Sequence, residues 1–225
     1  LARIADRVFQ AFPNSFPAAR RAITTGNPVR TEIAALPSPA ERFANRRAPA
    51  RLLVVGGSLG ALALNETVAK AIALLPEPLR PQVRHQAGER TLEVAQAAYR
   101  AAGIEAEVTA FIADMAGAYA WADLVICRSG ALTVSELAAA GLPAIFIPYP
   151  HAVDDHQVGN ARWLSDAGAA EVLLQREMTA ERLEALLEPL LADPQRRLHM
   201  AEAARAKAMP DAAGQIADAC LEVAR

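Results

Sequence analysis

From position 51 onward, short apolar runs alternate with segments of helical periodicity. The apolar runs cover 51–57, 83–87, 107–111, 124–127, 144–147 and 170–174, and the helical segments cover 58–75, 91–102, 115–121, 133–140, 157–167, 180–191, 194–208 and 211–224. Apolar runs of this length, bounded by glycine or polar residues, are typical of strands buried inside a parallel sheet. The alternation therefore predicts an α/β fold, a parallel sheet with helices on both faces.

The charge and composition of the 225-residue chain exclude several classes of protein. Its 23 Lys and Arg nearly balance its 25 Asp and Glu, and aromatic residues make up 5%, so recognition of nucleic acid is not expected. Cys127 and Cys220 lie far apart and do not suggest a disulfide scaffold. No apolar run approaches the ~18 residues that suggest a membrane-spanning helix. We therefore expect a cytoplasmic globular protein.

The first fifty residues contain six prolines and two arginine pairs. We interpret them as a first strand, loops and a linker rather than as a compact unit. Within them, the stretch from Gly26 to Arg30 forms a predicted turn fixed by Pro28. Arg30 could clamp a phosphate group, and the alternative is an ordinary exposed arginine that follows a turn.

Ligands of parallel α/β sheets bind beyond the carboxyl ends of the strands, so the turns there are the first candidates for a site. The first such turn is Gly56-Gly-Ser-Leu-Gly-Ala61. Its glycines permit close backbone approach, and the helix that follows offers free amides to an anion. It is neither a Walker loop nor the dinucleotide pattern G-x-G-x-x-G. Two interpretations stay open, a phosphate contact or a tight turn that binds nothing.

A second glycine, Gly130, also precedes a predicted helix. The amino-terminal end of a helix carries about half a positive charge, and free amides near Ala131 and Leu132 could hold a diphosphate. Glu136 lies within the first two turns, where its carboxylate could accept two hydrogen bonds from a vicinal diol such as ribose. Spacing alone favours the alternative, a capping box formed by Thr133 and Glu136.

Polar side chains are dense in a third turn, at His151, Asp154, Asp155, His156, Gln157 and Asn160. A helical metal pair needs histidines four positions apart, whereas these two are five apart in a loop flanked by prolines, so we expect no metal site. Asp155, Gln157 and Asn160 could instead hydrogen-bond the hydroxyls of a sugar. The alternative is a solvated helix start capped by Asp154 or Asp155.

Five stretches together carry a resemblance to a known family. In chain order they are Gly26-Asn-Pro-Val-Arg30, Val54-Val-Gly-Gly-Ser-Leu-Gly60, Phe111-Ile-x-Asp-Met115, Cys127-Arg-Ser-Gly-Ala-Leu-Thr-Val-Ser-Glu136, and Pro148-Tyr-Pro-His-Ala-Val-Asp-Asp-His-Gln157 with Asn160-Ala161. They resemble the MurG family of bacterial transferases. That family passes N-acetylglucosamine from UDP-N-acetylglucosamine (UDP-GlcNAc) to undecaprenyl-diphospho-N-acetylmuramoyl-pentapeptide (lipid I).

The resemblance implies that the chain is the C-terminal, donor-binding, Rossmann-like half of a two-domain GT-B glycosyltransferase. Residues 1–25 would be a remnant of the acceptor domain and a linker, 26–208 the UDP-GlcNAc-binding domain, and 209–225 a helix that returns to the missing N-terminal domain. The implied reaction is inverting transfer of N-acetylglucosamine to lipid I. This hexosyl transfer gives lipid II for peptidoglycan, and so serves cell wall biogenesis, cell shape and cell division.

The same resemblance assigns roles to residues of this chain. Ile112 would meet uracil through its backbone, Glu136 would bind the ribose hydroxyls, and Gln157 would bind the hydroxyls of the N-acetylglucosamine ring. The diphosphate would be held by Arg30, by Ser58 and by the amides of Ala131 to Thr133. Those amides belong to a predicted donor-binding stretch formed by Ala131, Leu132, Thr133, Val134, Ser135 and Glu136. Amides and a guanidinium can take up the charge of the leaving UDP, so no metal and no cofactor are expected.

No catalytic residue is expected in this chain, because the resemblance places the general base in the missing N-terminal domain. We expect the chain to bind UDP-GlcNAc without turnover, and to meet lipid I and the cytoplasmic face of the inner membrane through that domain. Two other hypotheses stay open. One is a non-catalytic nucleotide-sugar-binding subunit of a split glycosyltransferase. The other is a GT-B sugar-nucleotide epimerase, which would need acid–base carboxylates that the sequence does not clearly offer.

Overall fold

The computed structural model describes residues 4–13, 15–57, 60–150 and 156–223. Its strands are β1 (Phe9–Gln10), β2 (Ile23–Thr24), β3 (Arg51–Val55), β4 (Gln82–Gln86), β5 (Glu107–Thr109), β6 (Leu124–Cys127), β7 (Ala144–Phe146) and β8 (Ala170–Val172). Its helices are α1 (Thr31–Ala34), α2 (Pro39–Phe43), α3 (Leu62–Leu74), α4 (Leu92–Ala102), α5 (Met115–Trp121), α6 (Ala131–Ala140), α7 (His156–Ser165), α8 (Ala180–Ala192), α9 (Pro194–Ala206) and α10 (Ala212–Val223). Each strand and helix predicted from position 51 onward is present.

Strands β3 to β8 form one parallel six-stranded sheet in the order β5-β4-β3-β6-β7-β8. The chain first builds outward from β3 to β5, then returns to the other side of β3 and builds outward from β6. The order reverses between β3 and β6, which opens a crevice at their carboxyl ends. The last residues of the strands lie in one row across the sheet, namely Thr109, Gln86, Val55, Cys127, Phe146 and Val172. The predicted parallel α/β fold is confirmed.

Alternate residues of the central strands face two separate cores. Leu52 and Val54 of β3 join the first core, with side chains from α3 and α8, whereas Leu53 joins the second core, with side chains from α6 and α7. All three strand residues are fully buried. Because helices cover both faces of the sheet, the strands are continuous apolar runs rather than alternating ones.

The first fifty residues contain more structure than their proline pattern predicts. Strands β1 and β2 pair in parallel, and α2 begins at a capping box formed by Ser38 and Glu41. Phe12 and Ile33 are buried in the second core. The predicted first strand is present, but the segment also contains a second strand and two short helices, and its apolar side chains help to cover the second core. The domain limits at 25 and 208 stay predictions.

An arginine of α2 holds the carboxyl end of α6. Arg42 Nη2 donates to the backbone carbonyls of Ala140 and Gly141, and Arg42 Nη1 donates to the carbonyl of Tyr119. Burial lowers the pKa of Arg42 to about 10, so the side chain remains a cation at neutral pH. A cation at a helix carboxyl end supplies partners for the last carbonyls and interacts favourably with the helix dipole. Helix α6 is thus anchored at the end that lies away from the crevice.

Several large apolar side chains are only partly buried or are exposed. Trp121 and Trp163 are partly buried against the second core. Helix α10 carries the exposed side chains Leu221 and Val223, and its return to another domain stays a prediction. Within the described residues, no helix is both long and apolar enough to span a lipid bilayer.

Candidate functional site

The segments that follow β3, β5, β6 and β7 lie at the carboxyl edge of the sheet, where the strand order reverses. This edge is where ligands of open α/β sheets bind. Predicted site residues on three of these segments are Ile112, Ala131 and Gln157, and Arg30 reaches the same edge through its contact with α6. Ser58 lies outside the described residues, so its phosphate contact stays a prediction.

The turn after β3 requires glycine. Gly57 and Gly60 have φ angles of 81° and 79°, a region that other residues rarely adopt. A Cβ atom at Gly60 would lie 2.7 Å from the carbonyl oxygen of Ala87. The Gly56 amide donates to the Gln86 carbonyl at 2.9 Å, which joins the start of this turn to β4. The glycines therefore let the chain turn closely against the connection between β4 and α4.

The amino-terminal end of α6 presents backbone amides without partners. Gly130 is the N-cap residue, and the Val134 amide donates to its carbonyl at 3.0 Å. Among the described residues, the amides of Ala131, Leu132 and Thr133 have no hydrogen-bond partner. Free amides at the positive end of a helix are the arrangement by which helices bind phosphate groups.

Two residues of the predicted donor-binding stretch lie behind these free amides. The Val134 side chain is fully buried in the second core. Ser135 Oγ accepts a hydrogen bond from Asn27 Nδ2 at 3.2 Å. The structure therefore places Val134 in packing and Ser135 in a link to the turn before α1, and a direct ligand contact of either stays a prediction.

Two side chains hold the carboxylate of Glu136. Oε1 accepts from Arg30 Nη2 at 3.0 Å, and Oε2 accepts from Tyr119 Oη at 3.0 Å. The capping-box alternative is wrong, because α6 begins at Ala131 with Gly130 as its N-cap and without a side-chain capping bond. The Glu136 side chain is 17% exposed and that of Arg30 is 52% exposed, so the pair opens to solvent mainly on the Arg30 side.

Tyr119 is a site residue that the sequence did not reveal. Burial raises the pKa of Tyr119 well above its usual value, and the negative charge of Glu136 raises it further. The hydroxyl therefore stays protonated at neutral pH and donates to the carboxylate. This bond joins α5 to α6 across 17 positions of sequence, a distance over which helical periodicity carries no signal.

A cavity of 330 Å³ lies along β5, from Glu107 to the segment that follows Thr109. Thr109, Phe111 and Ile112 line it together with the start of α5, where Asp114 accepts a capping bond from the Gly117 amide at 2.8 Å. A volume in this range suits part of a small-molecule ligand. Its position beside Ile112 fits the expectation that a nucleobase binds there, and that contact stays a prediction.

Hydrogen bonds tie the starts of α6 and α7 to each other. Ser129 Oγ donates to the backbone carbonyl of Gln157 at 2.8 Å, and Asn160 Nδ2 donates to the Ser129 carbonyl at 3.0 Å. Asn160 is buried in this link, so the structure assigns it there rather than to the expected contact with a sugar. Gln157 Oε1 accepts from the Tyr149 amide at 2.9 Å, which leaves its Nε2 group available to donate to a ligand.

Arg128 supports the same region, although the sequence suggested no role for it. Its Nη1 donates to the Ile147 carbonyl at 3.0 Å, and its Nη2 donates to Gln175 Oε1 at 2.6 Å. The guanidinium lies 5.6 Å from the centre of the Tyr149 ring, within range of a cation–π interaction. These contacts fix the segment that follows β7 against the end of β6.

The candidate metal loop lies largely outside the described residues. Positions 151–155 include His151, Asp154 and Asp155, so the expectations for these three residues stay untested. Within the part of the chain that the structure describes, no group of three His, Cys, Asp or Glu side chains is arranged to hold a metal ion.

Comparison with protein families decides what kind of domain this is. The family model of the glycosyltransferase family 28 C-terminal domain matches residues 51–216. The chain belongs to this family. The matched range begins at β3 and includes the glycine turn, the start of α6 and Glu136. Arg30, which pairs with Glu136, lies before the matched range of the family 28 domain.

Relatives of this family 28 chain confirm the resemblance to the MurG family. A protein of Alkalilimnicola ehrlichii is 56% identical over 225 residues, which cover 100% of this chain and 63% of the relative. A protein of Marinobacter nauticus is 53% identical over 224 residues, covering 100% of this chain and 62% of the relative. Both are named UDP-N-acetylglucosamine–N-acetylmuramyl-(pentapeptide) pyrophosphoryl-undecaprenol N-acetylglucosamine transferase. The chain spans less than two thirds of the length of each.

Solved structures agree with this family 28 assignment. The crystal structure of Acinetobacter baumannii MurG superposes with a TM-score of 0.86 at 42% identity, covering 98% of this chain and 61% of that one. The calicheamicin glycosyltransferase CalG4 gives a TM-score of 0.60 at 20% identity, covering 96% and 52%. A putative UDP-N-acetylglucosamine 2-epimerase of Listeria monocytogenes gives 0.62 at 17% identity, covering 97% and 60%. At such identities the last two show a shared fold alone, and they confirm the predicted GT-B type.

Proposed function

We propose that this chain binds UDP-GlcNAc and is the donor half of an N-acetylglucosaminyltransferase of the MurG type. The observation that carries the proposal is the pairing of Glu136 with Arg30 beside the free amides of α6. One carboxylate suited to a ribose diol and one guanidinium suited to a diphosphate thus meet at the second turn of the helix whose first turn carries the free amides. The names of the relatives support the same donor.

The geometry supports stabilisation of the negative charge that develops on the leaving UDP during transfer. As the glycosidic bond to UDP breaks, negative charge grows on the β-phosphate. The amides at the start of α6 are held in place by a helix whose other end is anchored by Arg42, so they need not reorganise as the charge develops. Fixed donors of this kind stabilise the transition state more than the bound substrate. Arg30 supplies a full positive charge in addition.

The rest of the reaction is proposed to use groups outside this chain. Inverting transfer requires a general base that removes the proton of the acceptor hydroxyl. In the proposal this base, the lipid I site and the contact with the cytoplasmic face of the inner membrane belong to an N-terminal domain. Residues 1–25 and 209–225 would connect to that domain, and residues 26–208 would form the donor-binding unit. The product would be lipid II for peptidoglycan.

Calorimetric titration of the chain with UDP and UDP-GlcNAc tests the proposal. We expect both to bind with 1:1 stoichiometry, and we expect EDTA to leave their affinities unchanged, because amides and a guanidinium carry the phosphate charge. TDP-glucose serves as a control donor and should bind more weakly. Absence of UDP binding would contradict the proposed function, and loss of binding in EDTA would contradict its metal-independent form.

A further inference from the structure

The carboxylate of Glu136 has one buried partner and one half-exposed partner. Tyr119 is 1% exposed, and its Oη donates to Glu136 Oε2 at 3.0 Å. Arg30, whose side chain is 52% exposed, donates to Glu136 Oε1 at 3.0 Å. A ligand can therefore reach the carboxylate from the Arg30 side, whereas the Tyr119 side is closed by the protein.

Tyr119 is held in place by its surroundings. Its ring is buried in the second core, and its backbone carbonyl accepts from Arg42 Nη1 at 3.4 Å. Asp114 caps the start of the same helix by accepting from the Gly117 amide. Burial and the charge of Glu136 raise the pKa of Tyr119, so the hydroxyl keeps its proton and donates it to the carboxylate. A side chain locked by packing can hold a neighbouring functional group in one orientation.

The bond from Tyr119 leaves the carboxylate able to receive a ribose diol. An ionised carboxylate offers about four acceptor sites on its two oxygens, and Tyr119 and Arg30 each use one. Two hydroxyl groups can therefore bind without displacing Tyr119. A carboxylate that lacked this bond would have to be ordered when the ligand binds, which costs conformational entropy.

We propose that Tyr119 is a positioning residue for ribose recognition, which orients Glu136 so that the carboxylate accepts from the 2′- and 3′-hydroxyls of the donor nucleotide. Tyr119 itself does not touch the nucleotide, because its side chain is buried and its hydroxyl is bound to Glu136. The inference rests on the proposed function. It adds the group through which the site would distinguish a ribonucleotide from one without these hydroxyls.

Replacing Tyr119 with Phe removes the hydroxyl and keeps the ring in the core. The affinity for UDP should fall about three- to tenfold, a part of what a hydrogen bond to a charged group contributes. The affinity for 2′,3′-dideoxy-UDP should change less than about twofold, because that ligand has no hydroxyls for Glu136 to accept from. Calorimetry with both ligands gives the ratio of the two dissociation constants, which a purely structural role of Tyr119 would not move.

Tyr99→Phe is the matched control. Tyr99 is 2% exposed and its hydroxyl also has a side-chain partner, His85 Nδ1 at 3.0 Å, but it lies in the first core on the opposite face of the sheet. Both substitutions remove a buried hydroxyl from its partner, so both should lower the midpoint of urea unfolding. The ratio of the dissociation constants should change in Tyr119→Phe and stay the same in Tyr99→Phe.

A double variant, Tyr119→Phe with Glu136→Ala, tests whether Tyr119 acts through the carboxylate. Once the carboxylate is absent, removal of the hydroxyl should change the affinity for UDP by less than about twofold relative to Glu136→Ala alone. A larger further loss would mean that Tyr119 acts by another route and would overturn the inference.

The other outcomes also decide the inference. An unchanged ratio in Tyr119→Phe would overturn it, and so would an equal change of the ratio in Tyr99→Phe or a Tyr119→Phe chain that does not fold. If the unsubstituted chain bound UDP no more tightly than 2′,3′-dideoxy-UDP, the inference would fail while UDP binding remained. Absence of UDP binding by the unsubstituted chain would instead contradict the proposed function, and the inference with it.

Discussion

Arg30 and Glu136, which are 106 positions apart in the chain, form an ion pair with 3.0 Å between Arg30 Nη2 and Glu136 Oε1. Arg30 is the N-cap residue of α1, and Glu136 lies in the second turn of α6. The side chains proposed to bind the diphosphate and the ribose thus hold each other. Binding of a nucleotide would replace part of this contact with contacts to the ligand, so the pair keeps both groups ordered beforehand.

Replacing Glu136 with Ala should weaken UDP binding by about ten- to a hundredfold, the range expected for hydrogen bonds to a charged group. Binding of 2′,3′-dideoxy-UDP should fall less than about threefold, because that ligand lacks the hydroxyls that the carboxylate would accept from. Calorimetry with both ligands provides the measurement. Glu32→Ala, at an exposed carboxylate of α1, is the control and should change neither affinity. Equal losses for both ligands would mean that Glu136 acts only by holding Arg30.

Replacing Gln157 with Ala should weaken UDP-GlcNAc binding by roughly three- to tenfold and leave UDP binding unchanged, because only the sugar would reach the Gln157 Nε2 group. The Tyr149 amide would also lose its acceptor, and any effect of that loss on binding would show in the UDP control. The ratio of the two dissociation constants, measured by competition, is the readout. An unchanged ratio would remove Gln157 from the sugar site.

His85 should make the protein less stable as the pH falls below neutral. Burial lowers the pKa of His85 to about 4, whereas an unfolded histidine has a pKa of ~6.5. Between these values the unfolded chain binds the extra proton, so this contribution to stability is complete above pH ~6.5 and is lost as the pH falls towards 4. The free energy of unfolding should drop by about 2 kcal/mol from this group between pH 7 and pH 5.

Urea unfolding at these two pH values, compared with His85→Gln, isolates the contribution of this group. The variant should lose less stability than the unsubstituted chain between pH 7 and pH 5, although it starts from a lower value. His199→Gln, at an exposed histidine, should behave like the unsubstituted chain. Parallel pH dependence in all three proteins would show that His85 takes up its proton equally in the folded and unfolded states.

Replacing Arg42 with Met should destabilise the fold by about 2–3 kcal/mol, because the last carbonyls of α6 lose charged hydrogen-bond donors in a partly buried place. Arg100→Met is a suitable control, since Arg100 lies exposed in the last turn of α4 and should change stability by less than about 0.5 kcal/mol. Chemical denaturation gives both values. Equal effects of the two substitutions would show that the contacts of Arg42 contribute nothing specific.

Local signals in the sequence predicted the sheet and much of the site. The apolar run at β3 and the glycines at 56, 57 and 60 were sufficient to predict a strand and a turn, because strand burial and glycine conformation depend on a few neighbouring residues. Its spacing in the sequence allowed Glu136 to be either a ribose-binding carboxylate or part of a capping box with Thr133. The start of α6 at Ala131 and the two side-chain partners of Glu136 excluded the cap.

Contacts between distant segments could not be predicted in the same way. The bond from Tyr119 to Glu136 and the caps formed by Arg42 depend on how helices pack, and no local pattern encodes that packing. The structure of the proline-rich first fifty residues was only partly predicted for the same reason. Pro39 begins α2 rather than breaking it, and Ile33 is buried in the second core among side chains from distant elements.

The position of Arg42 on α2 also affects where this domain can be cut. A fragment confined to 51–216, the range of the family model, would keep the whole six-stranded sheet. It would nevertheless lose both Arg30, which contacts the second turn of α6, and Arg42, which contacts its carboxyl end. We therefore expect fragments that begin at the sheet to be less stable than fragments that retain the turn at Gly26.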